Sequence, residues 1–155
     1  MFKDLDPILH SQLRLSIVSL LVGLDEAEFV YLREKTNTSA GNLSLQLDKL
    51  QKAYSIPVTN FLGHADIAPG RKVDPSRYFP WEKLAKAGYG IWYDTTRTQV
   101  PADFNMMQGL RIIGYNTANE KNAIQSYRIH FTPQDTSRQL NEGDRKIIYD
   151  LMKKS

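Results

Sequence analysis

The sequence GHADIAPGRKVDP, residues 63–75, decides how the middle of this chain must fold. Two glycines and two prolines interrupt it, and these residue types favour turns over regular helices or strands. The stretch therefore predicts a long ordered loop, which we extend to Arg77. The segment just before it, Val58–Leu62, follows a proline and predicts a short strand.

Composition limits the chemistry that the chain can perform. Of its 155 residues, 41% are hydrophobic and 24% are charged, so a packed core is expected. There is no cysteine, which excludes disulfides, thiolate zinc sites and a cysteine nucleophile. Any metal must therefore bind through histidine, aspartate or glutamate.

Residues 1–53 have the apolar spacing of three helices. The first expected helix begins at Pro7 with Asp6 as its cap, the second covers about Glu26–Lys35, and the third covers about Ala40–Tyr54 with Ser39 as its cap. The residues expected to face inward in the second and third helices are Phe29, Leu32, Leu43, Leu47 and Leu50.

The last third of the chain is predicted to be helical again, because a capping residue precedes each of three apolar segments. These helices are Phe104–Ile113 after Asp103, Glu120–Phe131 after Asn119 and Glu142–Met152 after Asn141, and a shorter helix is expected over Pro80–Ala87. The predicted fold class is α+β and mostly helical: an N-terminal three-helix unit, the short strand with its long ordered loop, and a C-terminal three-helix bundle.

The longest apolar stretch, Leu15–Leu24, is too short to cross a bilayer, which takes about 20 apolar residues. The first six residues are acidic rather than basic, so no signal peptide is expected. We therefore expect a cytoplasmic protein with no membrane partner.

A resemblance to a known family rests on residues 63–75 and on the Tyr-Phe-Pro-Trp sequence at 78–81. Together with residues 88–94 and 110–115, they resemble the C-terminal part of the bacterial type-2 zinc N-acetylmuramoyl-L-alanine amidases. These enzymes cleave the bond between muramic acid and L-alanine in peptidoglycan. From about Asp103 onward, the chain resembles the three-helix peptidoglycan-binding module that follows some of these amidases.

The resemblance implies a set of site residues. His64 and Asp74 match two zinc ligands, and Lys72 matches a residue that helps to stabilise the transition state. A catalytic zinc takes three protein ligands and leaves a place for water. Candidate substrate contacts are Arg71, Tyr78, Trp81 and Trp92.

The family's first zinc histidine and its general base have no match upstream of residue 54. We interpret His10 and His130 as residues that bind no metal. Zinc binding is therefore expected to be weak and hydrolysis negligible, and the expected partner is peptidoglycan or a muropeptide.

Residues 1–53 resemble the helix-turn-helix of winged-helix transcriptional regulators, with 40–50 in the place of the recognition helix. By that resemblance, Asn42, Ser44, Gln46 and Lys49 are candidate DNA contacts. However, this segment has six basic and seven acidic residues, which give a net charge of −1. Residues 54–155 have fourteen basic and ten acidic residues, which give a net charge of +4. Phosphate neutralisation by lysine and arginine dominates DNA affinity, so DNA binding is the weaker hypothesis.

Three functional hypotheses remain open at this point. The chain is an amidase-derived peptidoglycan-binding module, a DNA-binding regulator, or a chimera without activity, since residues 47–54 suit either family. The predicted division is a helix-turn-helix-like unit at 1–53, an amidase-derived segment at 54–99 and a peptidoglycan-binding-like module at 100–155. An unpaired strand in the middle segment would favour a homodimer.

Overall fold

The computed structural model describes residues 4–24 and 27–155, and every regular element in these residues is helical. The α-helices are α1 (Gln12–Val22), α2 (Phe29–Lys35), α3 (Ala40–Ala53), α4 (His64–Ile67), α5 (Trp81–Lys86), α6 (Met106–Ile113), α7 (Glu120–Phe131) and α8 (Glu142–Met152), and 3-10 turns cover Pro7–His10 and Val58–Asn60. The chain forms two compact units, Met1–Ile56 and Pro57–Ser155. The further division of the second unit at residue 99 stays a prediction.

The prediction of a mostly helical fold is confirmed, but the strand predicted at Val58–Leu62, which gave the class its β part, is not seen among the described residues. Residues 58–60 form a 3-10 turn, in which the backbone N–H of Asn60 donates to the carbonyl of Pro57 at 3.0 Å. An isolated strand would leave its backbone groups without partners, and the described residues supply no second strand for it. Local i to i+3 hydrogen bonds satisfy part of this backbone instead.

The first unit has a small aliphatic core, to which each of its three helices contributes. Ile17, Leu32, Leu43 and Leu50 are buried there. Ser39 caps α3 as predicted, because its side chain accepts a hydrogen bond from the Asn42 backbone at 3.2 Å. Phe29, predicted to face inward, is 40% exposed.

The second unit ends in the predicted three helices, whose apolar core includes Leu110, Tyr127, Ile148 and Leu151. The caps at Asn119 and Asn141 are confirmed. The cap of α6 is Asn105 rather than Asp103, because the side chain of Asn105 accepts from the Gln108 backbone at 3.0 Å.

A buried ion pair joins α7 to α8 beside this apolar core. The Arg128 guanidinium donates to Asp144 at 2.7 Å, and the hydroxyl of Tyr127 donates to the same carboxylate at 3.0 Å. Burial and the neighbouring carboxylate raise the pKa of Tyr127 far above its ordinary value, so the phenol stays protonated.

Among the described residues, no helix has both the length and the apolar character of a bilayer-spanning segment.

Candidate functional site

The predicted loop at 63–75 folds back on itself and begins with the short helix α4. The Ala65 backbone N–H donates to the Asp74 carbonyl at 2.9 Å, which closes the loop at its base. Next to this closure, His64 Nδ1 lies 2.7 Å from Asp74 Oδ2. The loop thus brings together the two side chains that the amidase resemblance identifies as zinc ligands.

Two glycines allow the loop to pack this closely. Gly70 has a φ of +80°, and an added Cβ would lie 2.1 Å from the side-chain amide of Asn122 on α7. A Cβ on Gly63 would lie 2.8 Å from Pro75. Both positions exclude a side chain, Gly70 through its backbone conformation as well as its neighbour.

The Asp74 carboxylate is ionised at neutral pH. Partial desolvation raises its pKa, but the hydrogen bond from His64, a backbone hydrogen bond and the charges of His64 and Lys72 outweigh this, so its pKa lies below the ordinary value. The Asp74 side chain is 49% exposed. A cation could therefore approach this oxygen from solvent.

The predicted substrate contacts lie in two kinds of environment. Arg71 and Lys72 are exposed on the loop, and Tyr78 is 89% exposed. Trp81, in contrast, is buried and stacks on His130 with ring centroids 4.0 Å apart. Trp92 packs against the C-terminal core near Phe131, at 5.6 Å between ring centroids.

A buried network that we did not predict anchors the loop to α7. Asp66 accepts hydrogen bonds from the Tyr115 hydroxyl and the Gly63 backbone at 2.7 and 2.8 Å. His130 Nδ1 lies 2.7 Å from the second oxygen of the same carboxylate. Asp66 is two residues from His64, so the network fixes the helix that carries this candidate ligand. The sequence signal for this network is Asp66 at the third position of a helix that begins after Gly63. We predicted these residues as a loop, so the helix and its capping aspartate were missed.

The donor set of the pair suits zinc in part. An imidazole nitrogen and a carboxylate oxygen are both ordinary zinc ligands, and here they face each other. Within residues 57–155, all of which the structure describes, no third histidine, aspartate or glutamate offers a ligand atom to the pair. A third protein ligand would have to come from outside these residues.

In the first unit, the predicted DNA contacts do not form one surface. Asn42, Ser44 and Lys49 are exposed on α3, whereas Gln46 is buried and accepts from Arg14 at 2.9 Å. With 3.6 residues per turn, Asn42 and Lys49 lie within about 20° of each other around the helix, and Ser44 lies about 160° from Asn42.

Comparison with known proteins relates the chain to amidases. It is 33% identical over 96 residues to the N-acetylmuramoyl-L-alanine amidase AmiD of Escherichia coli (strain K12), a match covering 52% of this chain and 35% of AmiD. It is 36% identical over 59 residues to the 1,6-anhydro-N-acetylmuramyl-L-alanine amidase AmpD of Haemophilus influenzae, covering 37% of this chain and 26% of AmpD.

Solved structures give the same relationship. AmpDh3 from Pseudomonas aeruginosa, in complex with anhydromuramic pentapeptide, matches with a TM-score of 0.62 and 28% identity, covering 74% of this chain and 52% of that one. AmiD from E. coli, in complex with anhydro-N-acetylmuramic acid-L-Ala-D-gamma-Glu-L-Lys, matches with a TM-score of 0.59 and 25% identity. The match covers 73% of this chain and 51% of the AmiD chain.

The N-terminal part has a separate relationship. A family model described as a winged helix DNA-binding domain matches residues 13–61. The uncharacterized protein MJ0432 of Methanocaldococcus jannaschii is 47% identical over 45 residues, covering 29% of this chain and 49% of that protein. The chain therefore spans a quarter to a half of the length of these relatives, and it is similar both to amidases and to a winged-helix domain.

Proposed function

We propose that residues 57–155 form an amidase-derived module that binds peptidoglycan fragments. The observation that carries this proposal is the His64–Asp74 pair, held at 2.7 Å by a loop in the part of the chain that resembles solved amidases. The muropeptide-bound states of those relatives support a ligand of the same chemical class. Arg71 and Tyr78, both exposed, are the proposed contacts that a ligand can reach.

In this proposal His64 and Asp74 hold a zinc ion, which when bound polarises a carbonyl and acidifies water. Lys72 supplies a positive charge close to the pair, where it would stabilise negative charge on a bound ligand. Because residues 57–155 contribute two ligands rather than three, zinc binding through this unit alone is weak and hydrolysis is slight.

Zinc titration of the metal-free protein tests the metal site. We expect His64→Ala and Asp74→Asn each to weaken zinc binding by about tenfold or more, since even residues that only support a ligand give losses of this size. His10→Ala is the matched control, because His10 lies in the first unit and bonds the Leu5 carbonyl at 3.1 Å. Equal zinc affinity in wild type and His64→Ala would refute the site.

Retention on purified sacculi tests the ligand class. We expect the full chain to sediment with sacculi and Tyr78→Ala to reduce the bound fraction several-fold. Tyr54→Ala, at a half-exposed tyrosine of the first unit, is the control and should have no effect. Absence of wild-type retention would remove the proposal.

DNA binding by the first unit is the second candidate, because the winged-helix match covers residues 13–61. We propose Asn42 and Lys49 as contacts, since they share one side of α3. A salt series of gel shifts tests this: the affinity should fall steeply with salt, and Lys49→Gln should weaken it. A response that does not change with salt would contradict DNA binding.

The chimeric origin of the chain, a homodimer and a cytoplasmic location stay predictions. The structure removes the reason for expecting a dimer, because the unpaired strand that motivated it is a 3-10 turn.

A further inference from the structure

A polar pocket of about 130 Å³ lies beside the C-terminal end of α7, and neither His64 nor Asp74 lines it. Three arginines line it, Arg77, Arg128 and Arg138, together with one acidic residue, Asp135. Arg77 follows the loop, whereas the other residues belong to α7 and to the segment after it. No function proposed above uses this pocket.

Arg128 forms a fixed wall of the pocket. It is 3% exposed, and its guanidinium donates to Asp144 at 2.7 Å and to the Gln139 carbonyl at 2.8 Å. It also pairs with Asp135 at 3.1 Å. Its Nε is buried without a hydrogen-bond partner among the described residues, so this side chain still has an unused donor. Arg128 thus already pairs with two carboxylates, those of Asp135 and Asp144.

Arg77 and Arg138 are not balanced in this way. No carboxylate forms an ion pair with either guanidinium in residues 4–24 and 27–155. The hydrogen bond that Arg77 makes, to the Pro133 carbonyl, is long at 3.4 Å. Asp135 is held by Ser137 and Arg128, and these contacts lower its pKa, so it stays ionised. The three arginines carry three positive charges, whereas Asp135 and Asp144 carry two negative charges. The pocket therefore has an excess of one positive charge.

We propose that this pocket binds a carboxylate, with Arg77 and Arg138 as its ligands. The planar guanidinium fork matches the two oxygens of a carboxylate and donates two parallel hydrogen bonds. One carboxylate also matches the excess charge of one, whereas a phosphate near its second ionisation would exceed it. The site needs neither zinc nor a sugar, so it goes beyond the function proposed above.

Titration with N-acetylglycine, followed by NMR on the ¹⁵N-labelled full chain, tests the pocket. We expect shifts of the Arg77 and Arg138 side-chain Nε–H signals. Arg77→Gln and Arg138→Gln should each weaken binding by about tenfold, the loss typical of a charged hydrogen bond. Arg97→Gln removes the same charge from an exposed position outside the pocket and should leave the affinity unchanged.

N-acetylglycinamide and inorganic phosphate complete the experiment. The amide has the same size without the charge and should bind at least about tenfold more weakly. Equal binding of the amide, tighter binding of phosphate, or equal losses in Arg97→Gln would each overturn the proposal. Arg77→Lys keeps the charge and removes the fork, so it should also weaken binding while the circular dichroism spectrum stays native. Because these ligands contain no muramic acid, failure here is distinct from failure to bind sacculi.

Discussion

The two units of this chain are stabilised by different kinds of contact. The core of residues 1–56 is aliphatic, built from Ile17, Leu32, Leu43 and Leu50. Residues 57–155 also have an apolar core, but buried polar contacts join their parts: the Arg128–Asp144 ion pair joins two helices, and the Asp66–His130 contact joins the loop to α7. Aliphatic contacts adapt to small changes, whereas a buried charge that loses its partner is costly. The second unit should therefore be the more sensitive to single polar substitutions.

The largest effect is expected from Asp144→Ala. This change leaves the buried Arg128 guanidinium without its bidentate partner, and such losses cost about 3–5 kcal/mol. Both tryptophans, Trp81 and Trp92, lie in the second unit, so tryptophan fluorescence during urea unfolding reports its stability. Glu142→Ala, which removes an exposed acid from the same helix, is the control. Similar midpoints for the two variants would show that the buried pair is not important for stability.

Leu43→Ala should have the next largest effect, confined to the first unit. Leu43 is fully buried, and truncation of a buried leucine costs about 2–5 kcal/mol. Far-UV circular dichroism should detect the loss of helix at lower urea, while the fluorescence transition stays in place. Leu45→Ala, at a half-exposed position on the same helix, should change little. A matching shift in fluorescence would mean that the two units unfold as one.

Gly70→Ala should destabilise the second unit by roughly 1–3 kcal/mol, through left-handed backbone strain and the clash with Asn122. Gly88→Ala is the matched control, since Gly88 has a φ of +91° but open space around it. Gly88→Ala should lower the free energy of unfolding by the backbone strain alone. Adding Asn122→Ala should restore part of the stability lost in Gly70→Ala, but none of that lost in Gly88→Ala. Equal costs for both glycines would show that the loop is not packed against α7 at this point.

The smallest effect concerns Asp74 and pH. Its pKa is lowered by folding, so it contributes stability above its unfolded pKa, and this contribution is lost as the pH falls through the lowered value. The stability difference between wild type and Asp74→Asn should therefore be present at pH 7 and diminish as the pH falls below the ordinary range of an aspartate pKa. Because the side chain is half exposed, we expect less than about 1 kcal/mol. A difference that grows on acidification would contradict this assignment.

Local sequence signals predicted most of the helices, because capping and apolar spacing act over a few residues. Asn119 and Asn141 mark helix starts correctly, and Leu43 and Leu50 identify the buried face of α3. The errors arose where local signals compete. Asp103 and Asn105 are both good caps, and Val58–Leu62 has strand character but no strand to pair with among the described residues.

The sequence by itself determined the helical segments, the absence of cysteine chemistry and the loop that carries His64 and Asp74. These follow from composition and from interactions between residues close in the chain. Only the tertiary structure decided that His130 meets Asp66, 64 residues away, that Trp81 is buried, and that Arg77 shares a pocket with Arg138. Such contacts depend on how the helices pack against each other. Packing brings side chains together according to their shape and burial, and the spacing of residues along the chain does not specify these pairs.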